Sequence, residues 1–351
     1  MTKKVICIVA GGTAGHVFPA QALSEILGTT NEILFVTDNR GAKYFDDHSN
    51  IEKLWISNIN GSILRKGLAF LKLGISTLKC FYLLKTRKVK LAIGFGGLTS
   101  FPVLFAAKYL KIPIILHEQN AILGQANRFF LKDAELLAMS YKNTIGVADG
   151  SKVINTGNPI RSLVFNAKRR RTRITKDITI LVIGGSQGAS LFDEIIPKAF
   201  TQLPIEIQED IILHQQGKNI AMVENIYSKS YIRKVIVQPF FRELPQMMAD
   251  ADLVITRGGA SALSEIAHLG VPAIIIPMKN SAHDHQLYNA RQAEKNGGVR
   301  VAESPEELQI ALEDLLVHGK LDNLKISERK QNNAAQKLAI KINEVIINLR
   351  L

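Results

Sequence analysis

Cysteine is almost absent: the 351-residue chain holds only Cys7 and Cys80. Two thiols build no disulfide framework, and neither a C-x-x-C pair nor a zinc spacing is present. Aromatic residues are also scarce, at 7%. That is thin for a surface that stacks on bases, so no nucleic-acid partner is expected. The G-x-G-x-x-G fingerprint of a nicotinamide dehydrogenase is missing, and Asp38 comes too late to be its ribose-binding acid. Residues 91–107 carry no charge, but they include Gly94, Gly96, Gly97 and Pro102 and fall short of a membrane span. The apolar run 5–10 follows Lys3 and Lys4, yet it is too short for a secretory signal and enters Gly11-Gly12. These absences predict a cytoplasmic protein. There is no short-period repeat and no low-complexity tract.

Acidic residues are outnumbered, 31 against 44 basic ones, for a net charge of +13. Such a balance favours an anionic partner: nucleic acid, an acidic membrane surface or a phosphorylated ligand. A hydrophobic share of 46% with 21% charged residues describes a globular protein, and 351 residues suit two domains.

Short apolar runs alternate with helical stretches along the whole chain. Strands are expected at 5–10, 33–37, 54–56, 91–94, 112–116, 136–139 and 153–155 in the first half. The second half repeats the alternation, with strands at 178–183, 211–215, 235–238, 253–256, 273–277 and 299–301. Uninterrupted apolar strands separated by helices indicate parallel sheets covered on both faces. The fold class is therefore α/β, two doubly wound Rossmann-like domains. Asn158-Pro159-Ile160-Arg161 marks the hinge, and the basic run 168–173 reads as a solvated linker. The domains are expected at 1–160 and 161–331, with a last helix over 332–351 packing back on the first.

Each half opens on a glycine loop between a strand and a helix. The first reads GGTAGH from Gly11 to His16, and the second GGSQGA from Gly184 to Ala189. Glycines allow the tight turn, and the free N–H groups of a helix start favour an anion. His16 ends the first loop, where an imidazole is placed to act as a general base. His117-Glu118-Gln119-Asn120 follows a strand, at the position where this architecture builds sites. Arg257 to Glu265, RGGASALSE, is another strand–glycine–helix junction. There Ser261 suits a phosphate, and Glu265 suits a ribose diol, although an acid near a helix start has a purely electrostatic explanation too. His283-Asp284-His285-Gln286 invites a metal reading, but no distant partner is evident and ligand contact at a helix start fits better.

GGTAGH, HEQNA, GNPIR, GGSQGA, RGGASALSE and DHQLYNA occur here in the order and approximate spacing of the MurG family. The chain resembles these N-acetylglucosamine transferases of bacterial cell-wall synthesis from Gly11 to about Ala290. The resemblance implies a GT-B architecture, two domains facing across a cleft. It implies an inverting transfer from UDP-N-acetylglucosamine to the C4 hydroxyl of the muramyl sugar of lipid I, giving lipid II, with no cofactor and no catalytic metal. It implies His16 and Glu118 as catalytic residues, with Thr13, Ala14, Gly15 and Asn120 at the sugars. It places Arg161, Ser186, Gln187, Gly188, Phe241, Arg257, Ala260, Ser261, Ala262, Leu263, Ser264, Glu265 and Gln286 around the nucleotide. The sequence departs from the usual family pattern at Ala14, Leu98 and Asp193.

Lipid I is membrane-anchored, so a peripheral position on the cytoplasmic face of the inner membrane is implied. Residues 68–86 wind into a helix with two apolar stripes. One holds Leu68, Leu71, Ile75, Leu78 and Tyr82; the other holds Phe70, Leu73, Phe81 and Leu84. With basic flanks at Arg65, Lys66, Lys85, Arg87, Lys88 and Lys90, the helix is expected to meet an anionic bilayer, and Phe81 and Leu84 to carry that contact.

Overall fold

The structure is a computed structural model that describes residues 3–46, 50–57, 62–147, 150–170, 176–184, 189–278, 285–324 and 333–351. It divides into two compact units. One comprises residues 1–161 with 332–351, and the other 162–331.

The strands of the first unit are β1 (Val5–Val9), β2 (Glu32–Asp38), β3 (Ile51–Leu54), β4 (Leu91–Gly94), β5 (Ile114–Glu118), β6 (Leu136–Met139) and β7 (Val153–Asn155). They form one parallel sheet in the order β3-β2-β1-β4-β5-β6-β7. The second unit holds β8 (Ile178–Ile183), β9 (Ile211–Gln216), β10 (Lys234–Gln238), β11 (Leu253–Thr256), β12 (Ala273–Ile275) and β13 (Val299–Val301). Their order is β10-β9-β8-β11-β12-β13, again all parallel. These are the doubly wound sheets expected from the alternation.

The apolar runs are uninterrupted because both faces of each sheet are covered. Side chains of a strand alternate between faces. In β1, Cys7 and Val9 enter one buried cluster while Ile6 and Ile8 enter another. In β8, Ile178, Ile180 and Val182 face one core, and Leu181 and Ile183 the other. Helix α1 (Ala14–Leu27) lays Val17, Ala20, Leu23 and Leu27 against the Ile6–Ile8 face. The terminal helix Ala334–Asn348 adds Leu338, Ala339, Ile342 and Ile346 to that same cluster.

Helix α2 (Ile63–Thr86) corrects one expectation. Leu84 is buried and Phe81 packs on the same core, so the C-terminal end of this stripe faces the protein, while Phe70 at its other end is exposed. The other stripe is the outer one: Leu68, Leu71, Ile75, Leu78 and Tyr82 are all exposed, and Leu64 continues it. Ala69, Ser76 and Cys80 set the buried face, and the Ser76 hydroxyl donates to the Trp55 carbonyl at 3.1 Å. A second difference lies in β5, which runs on through His117 and Glu118 rather than ending at Leu116.

Candidate active site

In each sheet the strand order reverses direction at one place, and loops leaving the strands there diverge to open a crevice. In the first sheet it is between β1 and β4, in the second between β8 and β11. The first glycine loop follows β1, and Gly184, which opens the second, follows β8.

The first loop is locked by a carboxylate. Gly12 has φ +81°, which glycine adopts without strain. Its N–H donates to Asp38 Oδ1 at 2.9 Å. Gly41 N donates to the same oxygen at 2.8 Å, and Thr99 Oγ1 donates to Asp38 Oδ2 at 3.1 Å. Arg40 completes the set at 3.0 Å. Burial pushes the Asp38 carboxyl up, but these N–H groups and the Arg40 guanidinium outweigh it and hold it below its usual range. The acid that would read a ribose in a dehydrogenase is therefore occupied by its own backbone.

His16 lies in the first turn of α1, with Nδ1 3.4 Å from Thr13 Oγ1. Its ring rests against the turn after β4. A Cβ at Gly97 would stand 3.4 Å from the ring, and one at Gly96 would stand 3.7 Å from it and 3.5 Å from Asn127 Nδ2. Ala14 opens α1 and is absent from the positive-φ residues, so its methyl group costs the loop no strain.

The HEQN segment is more deeply set than a strand-end loop. Glu118 is 2% exposed. Its Oε1 accepts from Asn120 N and Asn120 Nδ2, both at 3.0 Å. Its Oε2 accepts from Gly124 N at 2.9 Å and Asn127 Nδ2 at 2.8 Å. Burial raises the Glu118 pKa, and these four donors oppose the rise. His117 is fully buried, its ring 5.0 Å from that of Phe95 in a tilted pair, with Nε2 3.3 Å from the Gly157 carbonyl and Nδ1 3.1 Å from Gln119 Nε2. Burial lowers its pKa to about 4, so it is neutral at physiological pH. It is a structural hydrogen bonder.

In the second unit, β11 delivers Arg257, Gly258 and Gly259 to the helix Ala260–Leu269. Burial lowers the Arg257 pKa. Gly258 cannot be replaced: a Cβ there would lie 2.1 Å from the Gln286 carbonyl oxygen. That contact brings the helix His285–Lys295 onto the loop, and Asn289 Nδ2 donates to the Gly258 carbonyl at 3.1 Å. The Gln286 side chain accepts from Met278 N at 3.0 Å. Within the helix, Ala260, Ser261 and Glu265 are buried near this junction, whereas Leu263 faces the core. Ala262 is half-buried, and Ser264 donates to the Ala260 carbonyl at 2.9 Å. Phe241 is buried, with its ring 6.1 Å from that of His214.

Arg161 belongs to the first unit, one residue beyond the expected boundary, and its guanidinium lies 3.7 Å over the Phe18 ring. Ser186, Gln187 and Gly188, together with His283, Asp284 and positions 171–173 of the basic run, lie outside the described residues. Sequence reasoning missed Thr99 and Asn127, held Asn289 only as part of DHQLYNA without a role, and read Asp38 only as a rejected ribose ligand. No local signal singles out Asn127, because its short helix reads QANRFF with Gln125 and Arg128 beside it.

Two family models match the chain. The glycosyltransferase family 28 N-terminal domain covers residues 6–138, and the family 28 C-terminal domain covers 179–345. A Rhodospirillum centenum protein is 35% identical over 87% of this chain and 83% of its own length. A protein of the Wolbachia of Brugia malayi is 39% identical over 96% and 95%. Both are named UDP-N-acetylglucosamine–N-acetylmuramyl-(pentapeptide) pyrophosphoryl-undecaprenol N-acetylglucosamine transferase. Among solved structures, Acinetobacter baumannii MurG matches with TM-score 0.76 and 26% identity, over 98% of this chain and 100% of that one.

The chain belongs to the MurG family.

Of the MurG family motifs, GGTAGH follows β1 and RGGASALSE follows β11, beside the two strand-order reversals. A Neisseria meningitidis UDP-GlcNAc 2-epimerase bound to UDP-GlcNAc also matches, at TM-score 0.64 and 13% identity over 97% of this chain and all of that one, which shows the shared fold. Of the departures from the usual MurG pattern, Asp193 has a visible role. It is buried and accepts from the backbone N–H groups of Lys218 and Asn219, at 3.1 and 2.8 Å.

Proposed function

We propose that this protein moves N-acetylglucosamine from UDP-N-acetylglucosamine to the C4 hydroxyl of the muramyl sugar of lipid I, undecaprenyl-pyrophosphoryl-muramyl-pentapeptide, with inversion, giving lipid II. The observation that carries the reading is the match, over most of both lengths, to relatives that bear this activity in their names. Direct displacement at the anomeric carbon needs a base for the acceptor proton and donors for the departing diphosphate. His16 is the candidate base. Its place at the end of the glycine loop, against the turn after β4, supports that role. Ser186, Gln187, Gly188, Arg161 and Arg257 are the candidate diphosphate partners, and Glu265 the candidate ribose ligand. Phe241, Ala260, Ser261, Ala262, Ser264 and Gln286 belong to the same nucleotide region, with Leu263 holding its helix to the core, and Thr13, Ala14, Gly15 and Asn120 belong with the sugars. The reading needs no cofactor, no metal and no nucleic acid.

A lipid-linked acceptor calls for contact with a bilayer, which the anionic cytoplasmic face of the inner membrane supplies. The outer stripe of α2 supports this placement. Leu64, Leu68, Leu71, Ile75, Leu78 and Tyr82 follow i, i+4, i+7 spacing and are exposed, between basic flanks. By length and composition α2 also passes for a membrane span, but its inner face is docked in the core.

Transfer of radiolabelled N-acetylglucosamine to a lipid I analogue tests the reaction. His16→Ala should lower kcat by roughly a hundredfold or more while UDP binding is kept. Unchanged turnover in that variant would remove His16 from the mechanism.

A further inference from the structure

Glu118 has the surroundings of a scaffold. A carboxylate offers about four lone-pair positions. Here all four are filled: two donors from Asn120 on Oε1, and Gly124 N and Asn127 Nδ2 on Oε2. A base must present a free lone pair to the proton it removes, and Glu118 is sealed from solvent at 2% exposure. Its hydrogen bonds reach residues that matter. Asn127 Nδ2 also donates to the His117 carbonyl at 3.0 Å, so its amide has one orientation. That same nitrogen lies beside the Gly96 position, which also touches the His16 ring. Glu118 therefore ties together the end of β5, the loop 119–124 and the short helix Gln125–Phe130, next to His16.

The geometry points to Glu118 as a positioning residue rather than a proton acceptor: it fixes the amides of Asn120 and Asn127 and so holds the surface on which His16 works. This inference rests on the transferase reading above, because it concerns how that reaction is set up. Glu118→Gln keeps the volume but turns an amide N–H toward the donors of Gly124 or Asn127. A misplacement of about 1 Å in such a framework costs on the order of a hundredfold in rate.

The test measures transfer to a lipid I analogue by the unaltered protein, Glu118→Gln, Asn127→Ala and the double variant, each over a pH series. Failure of the unaltered protein to transfer would count against the reaction itself, whereas the comparison among variants addresses Glu118 alone. Positioning predicts that Glu118→Gln loses about a hundredfold in kcat with the KM for the sugar nucleotide nearly unchanged. The acidic limb of the pH–rate profile should persist in that variant. Asn127→Ala, with Glu118 intact, should lose about tenfold or more, and the double variant should be no worse than Glu118→Gln. Loss of the acidic limb in Glu118→Gln, or losses that multiply in the double variant, would overturn the proposal. If Glu118→Gln does not fold, full activity in Asn127→Ala would overturn it as well.

Discussion

His117 shows how a motif residue can serve the fold. Its ring is enclosed beside Phe95 and bonded to Gly157, and burial depresses its pKa from the usual 6.5 to about 4. The unfolded chain then binds a proton at higher pH than the folded one. The neutral ring costs nothing above pH 6.5, and stability is lost as pH falls from 6.5 toward 4, by up to roughly 3 kcal/mol. Thermal melts across that window should show the decline, and His117→Gln should flatten it; equal slopes in both proteins would show that other groups cause it. Glu265 is the other residue with a definite expectation. Its replacement by Ala should weaken UDP by about 1–3 kcal/mol, as for lost hydrogen bonds to a charged group. Calorimetry with UDP and 2′,3′-dideoxy-UDP separates the roles, since only a diol ligand discriminates between them. The motif residues themselves were legible. Their partners were not: Asp38 meets Gly12 across 26 positions, and Asn127 meets Glu118 across nine. No local periodicity encodes such pairs.

At the scale of elements, most strands were readable because a doubly covered sheet writes a plain apolar run, whereas edge strand β3, expected at 54–56, lies at Ile51–Leu54 and reads IEKL. Helix α2 was readable as a helix but not in its rotation. Both of its stripes are apolar, and its buried face is built partly from the small residues Ala69 and Ser76, which hydrophobic patterning does not favour. The end of β5 was placed two residues short because His117 and Glu118 are polar, yet both find internal partners. The observed rotation of α2 reassigns the expected variants. Leu71→Ser with Leu78→Ser should reduce sedimentation with anionic vesicles, and the binding should also fall as salt rises. Phe81→Ser with Leu84→Ser should instead lower the melting temperature, at a cost of roughly 2–5 kcal/mol for the buried leucine. Vesicle binding untouched by both the outer pair and salt would place the contact elsewhere.

At the scale of the molecule, each unit has its own sheet and its own pair of cores, but only the second is made of consecutive chain. The first unit borrows the helix Ala334–Asn348, whose Leu338, Ile342 and Ile346 join Leu23, Leu27 and Phe35 in one buried cluster. Each such side chain contributes roughly 1.5–3 kcal/mol when buried. Deleting residues 333–351 should therefore unfold or severely destabilise the first unit while the second keeps its own melting transition; calorimetry of the shortened chain identical to that of the whole would contradict this. The same arrangement sets an order of events during synthesis. Domains fold as units while the chain is being made. Residues 1–161 leave the ribosome first, yet the face carrying Ile6 and Ile8, which α1 covers in part, stays incompletely covered until the helix made after residue 331 arrives. The unit encoded first is thus the one completed last, and for the time it takes to translate the whole second unit the apolar surface that Leu338, Ile342 and Ile346 later bury is a target for chaperones or for aggregation.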